Sequence, residues 1–158
     1  MSEILNIILL TLTPALELRA SIPYGVFKTE LSLISIFIIA VITNIILAPI
    51  IYLFLDNFLH LFQRITLFDK YYQKVVLKTQ KKIHPYIEKY GVYGLALFIA
   101  VPLPGSGVYT GALGAYLLGF RKRDFLLAAS IGVVIAGIIV TLISVSGDTA
   151  LAMFLKDV

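Results

Sequence analysis

The sequence predicts an all-α integral membrane protein of two inverted repeats, each a re-entrant helical hairpin followed by a transmembrane helix, with an amphipathic interfacial helix between them. Three observations carry this. First, 59% of the 158 residues are hydrophobic and only 14% are charged, giving a mean hydropathy of +0.97, too apolar for a soluble domain of this length. Second, two of the four apolar stretches are interrupted at their centres by Pro and Gly, whereas the other two are not. Third, ten of the thirteen Lys and Arg residues fall in two clusters, which share one membrane face only if the stretch between them enters and returns.

The first repeat, residues 1–55, opens with the interrupted stretch Ile4–Phe27. At its centre Glu17 and Arg19 lie between Pro14, Pro23 and Gly25. A charge at bilayer depth costs at least about 2.5–3.5 kcal/mol on insertion scales, so two of them mark a functional site by default. The prolines remove backbone donors, and the peptide groups so freed need protein or water. Ile4–Thr13 is ten residues, about 15 Å of helix, half of a hydrocarbon core about 30 Å thick. Leu31–Leu55 follows, its 25 residues enough to cross once. Asn44 sits in the middle of that span, where an interhelical hydrogen bond or a ligand contact would satisfy it.

Asp56–Tyr90 links the repeats. Phe58, Phe62, Ile65, Phe68, Tyr72, Thr79 and Ile83 recur at helical steps, with Arg64, Lys70, Lys74, Lys78 and Lys81 on other faces. This pattern fits a helix on the membrane surface or one docked under the spans.

The second repeat, residues 91–147, repeats the plan, and residues 148–158 form a tail. Val92–Phe120 is interrupted by Pro102-Leu-Pro104-Gly105-Ser106-Gly107-Val-Tyr109-Thr110-Gly111, and Phe125–Val145 supplies 21 residues for the second crossing. If Val92–Phe120 returns to its starting face, Arg64–Lys89 and Arg121–Arg123 lie together, as the positive-inside rule requires of cytoplasmic segments. Residues 56–90 and 121–124 are then cytoplasmic, and the protein belongs in the cell membrane. Gly25–Leu31 and Gly119–Phe125 occupy matching places before the spans, and inverted repeats with broken helices characterise secondary transporters. A half-helix starting near Gly107 would turn its N-terminal amides toward an anion at the midplane. Ala128, Gly132 and Ala136 mark close helix packing, within the fold or between subunits.

Other classes find little support. The sequence has no cysteine and only His60 and His84, a poor basis for a metal site, and no cofactor is expected. The basic clusters abut apolar segments, which argues for a membrane face and against nucleic acid. No nucleophile with an acid–base partner is in evidence, so the chain does not read as an enzyme.

Taken together, Pro14-x-x-Glu17-x-Arg19-x-x-x-Pro23-x-Gly25 and Pro102-Leu-Pro104-Gly105-Ser106-Gly107-x-Tyr109-Thr110-Gly111-Ala112 resemble the putative small multidrug export protein family, a distant relative of the DedA/VTT membrane proteins. The resemblance runs from about Pro14 to Gly147. It implies two facing re-entrant hairpins and movement of lipids or lipid-linked phosphate carriers between leaflets. The chain departs from DedA proteins proper in having no arginine between Val92 and Phe120.

The expected site therefore combines Glu17 and Arg19 with Pro102, Pro104, Gly105, Ser106, Gly107, Tyr109 and Thr110, with Asn44, Pro14, Pro23 and Gly25 in support. Burial favours a neutral carboxyl and a nearby cation favours a charged one, so Glu17 beside Arg19 is placed to exchange a proton. The expected substrate is an amphipathic or lipid-like anion among the membrane lipids, coupled to protons or another ion. A small multidrug exporter and a non-transporting structural protein are the alternatives. Two full spans enclose little, so a homodimer is expected to supply walls.

Overall fold

A computed structural model of the chain describes residues 2–14, 16–62, 90–102 and 106–156, with the side chains of 58–62 and 148–156 excepted. Six helices are seen among these residues: α1 (Glu3–Leu12), α2 (Glu17–Lys28), α3 (Leu33–Phe62), α4 (Tyr90–Ala100), α5 (Val108–Leu117) and α6 (Lys122–Lys156). Neither interrupted stretch forms a continuous helix.

Ser2 caps α1, its hydroxyl accepting from the Leu5 N–H, and Glu3 complements the dipole in the first turn. The helix stops at Thr13, whose backbone is extended (φ −74°, ψ 125°), as expected of a residue before proline. α2 then folds back along α1. The Thr11 hydroxyl donates to the Ile7 carbonyl at 2.8 Å and is hydrogen-bonded to the Ser21 hydroxyl at 2.7 Å, and Asn6 Nδ2 donates to Tyr24 Oη at 3.0 Å. As one position advances the other retreats, so the two helices run antiparallel and form a hairpin.

Helices α3 and α6 are the two long and apolar enough to cross a membrane. Along α3, Ile34, Ile38, Ile42, Ile46 and Ile50 are exposed at four-residue steps, whereas Ile36, Ala40, Asn44, Leu47 and Ala48 are buried. Along α6, Leu127, Ile131, Ile135, Ile138 and Leu142 face outward, and Phe125, Ala128, Ala129, Val133, Ala136 and Val140 face inward. Outward rows of this size suit lipid rather than water. The chain is an integral membrane protein.

The core gathers the inner faces of all six helices around Ile7, Leu18, Ile22, Ile36, Leu95, Ile99, Val108 and Phe125. α6 packs on α2, α3 and α5, and α3 also packs on α1 and α2. Tyr52 ties α3 to the turn before α6, donating to the Phe120 carbonyl at 2.9 Å and stacking on Phe125 at 5.3 Å.

Two boundaries differ from the sequence reading. α3 continues past Leu55 to Phe62, so the helix of the first span includes the start of the expected linker; α6 continues past Val145 to Lys156, through most of the expected tail. The remainder of the linker's amphipathic pattern, with His84, lies outside the described residues.

The small-residue stripe packs within the fold. Ala128 and Ala136 are buried, and a Cβ on Gly132 would lie 2.7 Å from the Ala96 carbonyl oxygen and 2.8 Å from Ile99 Cβ. Backbone cannot yield as a side-chain tip can, so Gly132→Ala should push α4 off α6 at a cost of about 1–3 kcal/mol. A lower Tm in detergent is the expected result. Gly147→Ala, where a Cβ would meet nothing within 4 Å, serves as the control and should leave the Tm unchanged or slightly raised.

Candidate functional site

The two charges of the first hairpin are carried across to the break in the second. Glu17 opens α2 with φ +49°, the only non-glycine positive φ among the described residues. A single side chain in the left-handed region costs of the order of 1–3 kcal/mol and persists only where its surroundings enforce it. Here they do. The Glu17 N–H donates to the Thr13 carbonyl at 3.2 Å, closing the turn, and the side chain is only 3% exposed.

Its carboxylate sits at the start of α5. Oε2 accepts from the Val108 N–H at 3.2 Å and Oε1 from the Tyr109 N–H at 3.3 Å. These are among the first amides of α5, which have no helical carbonyl to bond and carry the positive end of its dipole. Glu17 therefore caps a helix of the second interrupted stretch. The Asn44 amide of α3 adds a third donor, Nδ2 to Oε2 at 3.4 Å.

Arg19 answers the opposite end of the break. Nη1 donates to the Ser106 carbonyl; Nη2 donates to Ser106 Oγ at 2.9 Å, the Val101 carbonyl at 3.1 Å and the Ile99 carbonyl at 3.4 Å. Ser106 Oγ donates in turn to the Val101 carbonyl at 2.5 Å. α4 stops ahead of Pro102, which has no N–H to offer a preceding carbonyl, and its final oxygens carry the negative end of the dipole. The guanidinium fork spans several of them at once.

Glu17 and Arg19 thus bind the two halves of the second interrupted helix rather than pairing with each other. Residues two apart on a helix face different ways, and here one head meets amides while the other meets carbonyls. Gly107 lies between them with φ +125° and ψ −169°. A Cβ there would come within 2.6 and 2.8 Å of the Glu17 oxygens and 2.9 Å of Arg19 Nη1. The tips are also joined by Tyr109, whose hydroxyl donates to the Leu12 carbonyl at 2.6 Å.

Of the residues singled out from the sequence, Glu17, Arg19, Ser106, Gly107, Tyr109 and Asn44 converge here. Pro102 lies in the turn, half-buried; Thr110, half-buried in the first turn of α5, takes no part in the hydrogen bonds to either charge. Pro14 is exposed and Pro23 lies within α2. Gly25 serves packing instead, since a Cβ there would come within 2.5 Å of Ile36 Cγ2. Pro104 and Gly105 lie outside the described residues. The sequence pointed to free amides at the start of a half-helix near Gly107, but not to Glu17 as their occupant, and it did not single out the Ile99 and Val101 carbonyls. Backbone groups leave no residue signature, and the prolines were the one hint that carbonyls would be left over.

A groove of about 350 Å³ runs along the first hairpin, lined by Asn6, Leu9, Leu10, Thr13 and Tyr24. Among the described residues, no three His, Asp or Glu side chains come together to hold a metal ion.

Residues 17–139 match the model of a family described as "Putative small multi-drug export protein". The match starts at Glu17 and takes in α2 to α5 and much of α6. No curated protein and no solved structure matches the chain.

Proposed function

Given that the chain belongs to the small multi-drug export protein family, we propose that it is a small secondary transporter of amphipathic compounds, driven by protons exchanged at Glu17. In this reading α1–α2 and α4–α5 are re-entrant hairpins entering from opposite leaflets, arranged as inverted repeats, with 56–90 and 121–124 on the cytoplasmic side. A second copy of the chain supplies the remaining walls. The groove beside Asn6 and Tyr24, within the volume range of small-molecule sites, is the lateral way in from the lipid.

One observation carries the reading. A carboxylate buried in a lipid-embedded fold is held by the amides of an interrupted helix, in a seat that suits any anion of similar size. When a proton neutralises Glu17, the seat loses its resident charge and can take the carboxylate or phosphate of an amphipath, with Arg19 close by to add attraction. When the proton leaves, Glu17 reclaims the amides and the substrate is released. Because one seat cannot hold both, proton and anion movements are coupled. A kinship with DedA/VTT proteins, suggested by the motifs, would fit a lipid-linked substrate.

A second reading is favoured by the state of Arg19, whose guanidinium is already bonded to four oxygens. Glu17 would then be the charge that meets a cationic drug. Liposomes carrying the protein separate the two. An anionic headgroup-labelled lipid and a lipophilic cation are followed with and without a pH gradient, for wild type, Glu17→Gln and Arg19→Gln. The expected result is gradient-driven movement of the anion, falling at least about tenfold in Glu17→Gln, since a hydrogen bond to a charged group contributes about 1.5–3 kcal/mol. Movement of the cation alone would favour the second reading. If neither compound moves, the transporter class fails and a structural role takes its place.

A further inference from the structure

Asn44 is fully buried, and its Nδ2 donates to Glu17 Oε2 at 3.4 Å. Its Oδ1 is equally buried and has no hydrogen-bond partner among the described residues. An amide placed only to fasten helices is ordinarily held at both ends, because an unpaired buried acceptor is costly. This one is held by Glu17 alone.

We propose that Asn44 and Glu17 together form a proton-binding site, in which the amide turns half a circle so that either form of the carboxyl is hydrogen-bonded. With Glu17 ionised, Nδ2 donates to Oε2, as seen. When a proton from the aqueous phase on one face bonds to Oε2, that O–H donates to Oδ1, turned inward in its place. The inference rests on the proposal that Glu17 exchanges protons, and adds the group that reads its state.

Three features of the site support it. The Asn χ2 torsion is roughly two-fold and the two ends of the amide are close in size, so the turn needs no repacking. Either orientation leaves one end of the amide against the same wall, so the partner at Glu17 decides between them. Protonation also has a defined consequence next door: Oε2, now a hydroxyl donating to Asn44, is a weaker acceptor for the Val108 N–H, whereas Oε1 can still accept from Tyr109. The weakened bond involves one of the two amides that form the anion seat.

Among the described residues, the groups around Glu17 leave the proton no rival there. From α2 comes Arg19, which is a donor only. From α5 come the Val108 and Tyr109 amides, and the Tyr109 hydroxyl is committed to the Leu12 carbonyl. α3 has no charged residue from Leu33 to Leu55, α6 has none from Phe125 to Gly147, and the only charge of α1 is Glu3 in its first turn.

Infrared difference spectra between acid and alkaline pH test this on the full chain in lipid, without any substrate. A protonated-carboxyl band is expected in wild type, accompanied by a change in a side-chain amide band, and both should vanish in Glu17→Gln. In Asn44→Leu the amide change should disappear and the carboxyl band should move to the position of a carboxyl with no acceptor. Should Asn44→Leu fail to fold, the near-isosteric Asn44→Asp puts two carboxyls on one proton. The pH midpoint of the band should then move by about one unit or more, a tenfold change in proton affinity. A Glu17 band with the same position in wild type and Asn44→Leu, or the same midpoint in Asn44→Asp, would overturn this inference and leave the transport proposal standing. If no Glu17 band appears at any pH, the proton step fails as well.

Discussion

Gly107→Ala is expected to unfasten the two interrupted stretches from each other and to abolish the proposed transport. The backbone at Gly107 (φ +125°, ψ −169°) lies in a region that is essentially glycine's alone, and forcing a side chain into it costs of the order of 1–3 kcal/mol. The added Cβ would also fall within 2.9 Å of three charged atoms, the two Glu17 oxygens and Arg19 Nη1. Those atoms end flexible side chains, but here they are tied to Val108, Tyr109 and Ser106. Moving them breaks hydrogen bonds to charged groups, about 1.5–3 kcal/mol each. The losses together exceed what strain alone would cause. Purified protein in detergent should show a fall in Tm of many degrees, and reconstituted protein should show no transport above empty liposomes. Gly91→Ala and Gly119→Ala give the comparison, since both residues have positive φ (+51° and +71°) and a Cβ at either would meet nothing within 4 Å. They should lose only the strain. If Gly107→Ala is no worse than those two, the clasp is not where the geometry puts it.

Arg19→Ala is expected to be nearly as damaging, and free guanidinium should restore part of what is lost. The substitution leaves the Ile99, Val101 and Ser106 carbonyls facing a space that the guanidinium filled. A hydrogen bond to a charged group contributes about 1.5–3 kcal/mol, and less where the guanidinium is partly exposed, as that of Arg19 is. Opposite them, the Glu17 carboxylate loses its nearest countercharge. Free guanidinium has the same planar set of donors and can enter the cage left behind. Tetramethylammonium carries the charge without a donor and should not rescue. Arg19→Lys should recover little, because one ammonium with three donors cannot span oxygens contributed from both ends of the turn. Tm and transport, titrated against each cation, provide the measurement. Equal rescue by tetramethylammonium would mean that charge alone matters and that the carbonyl geometry does not.

Much of the architecture was legible because lipid constrains a sequence so strongly. A charged pair among apolar residues and prolines at half the length of a crossing each have few explanations at bilayer depth. Both breaks are present in the structure, and Glu17, Arg19 and the Ser106–Tyr109 turn, singled out from the sequence, come together there. The two helix ends were less legible. α3 runs to Phe62 because Asp56–Phe62 continues a helical pattern with no proline or glycine to stop it, and α6 runs on to Lys156 for want of a proline. Charge and hydropathy say where a membrane ends, not where a helix does. Asn44 was read as a choice between fastening helices and touching a ligand. In the structure it bonds across to Glu17 of α2, which no single-span pattern could reveal.

The sequence by itself determined that this is an integral membrane protein with two interrupted apolar stretches and an acid and a base within the first, since composition, proline placement and charge are properties of the residues alone. Only the tertiary structure decided what the acid and base hold. Their partners are amides and carbonyls at the two ends of another break, groups that every residue possesses. They become distinctive only where a helix stops and its dipole ends meet an opposite charge brought from far along the chain.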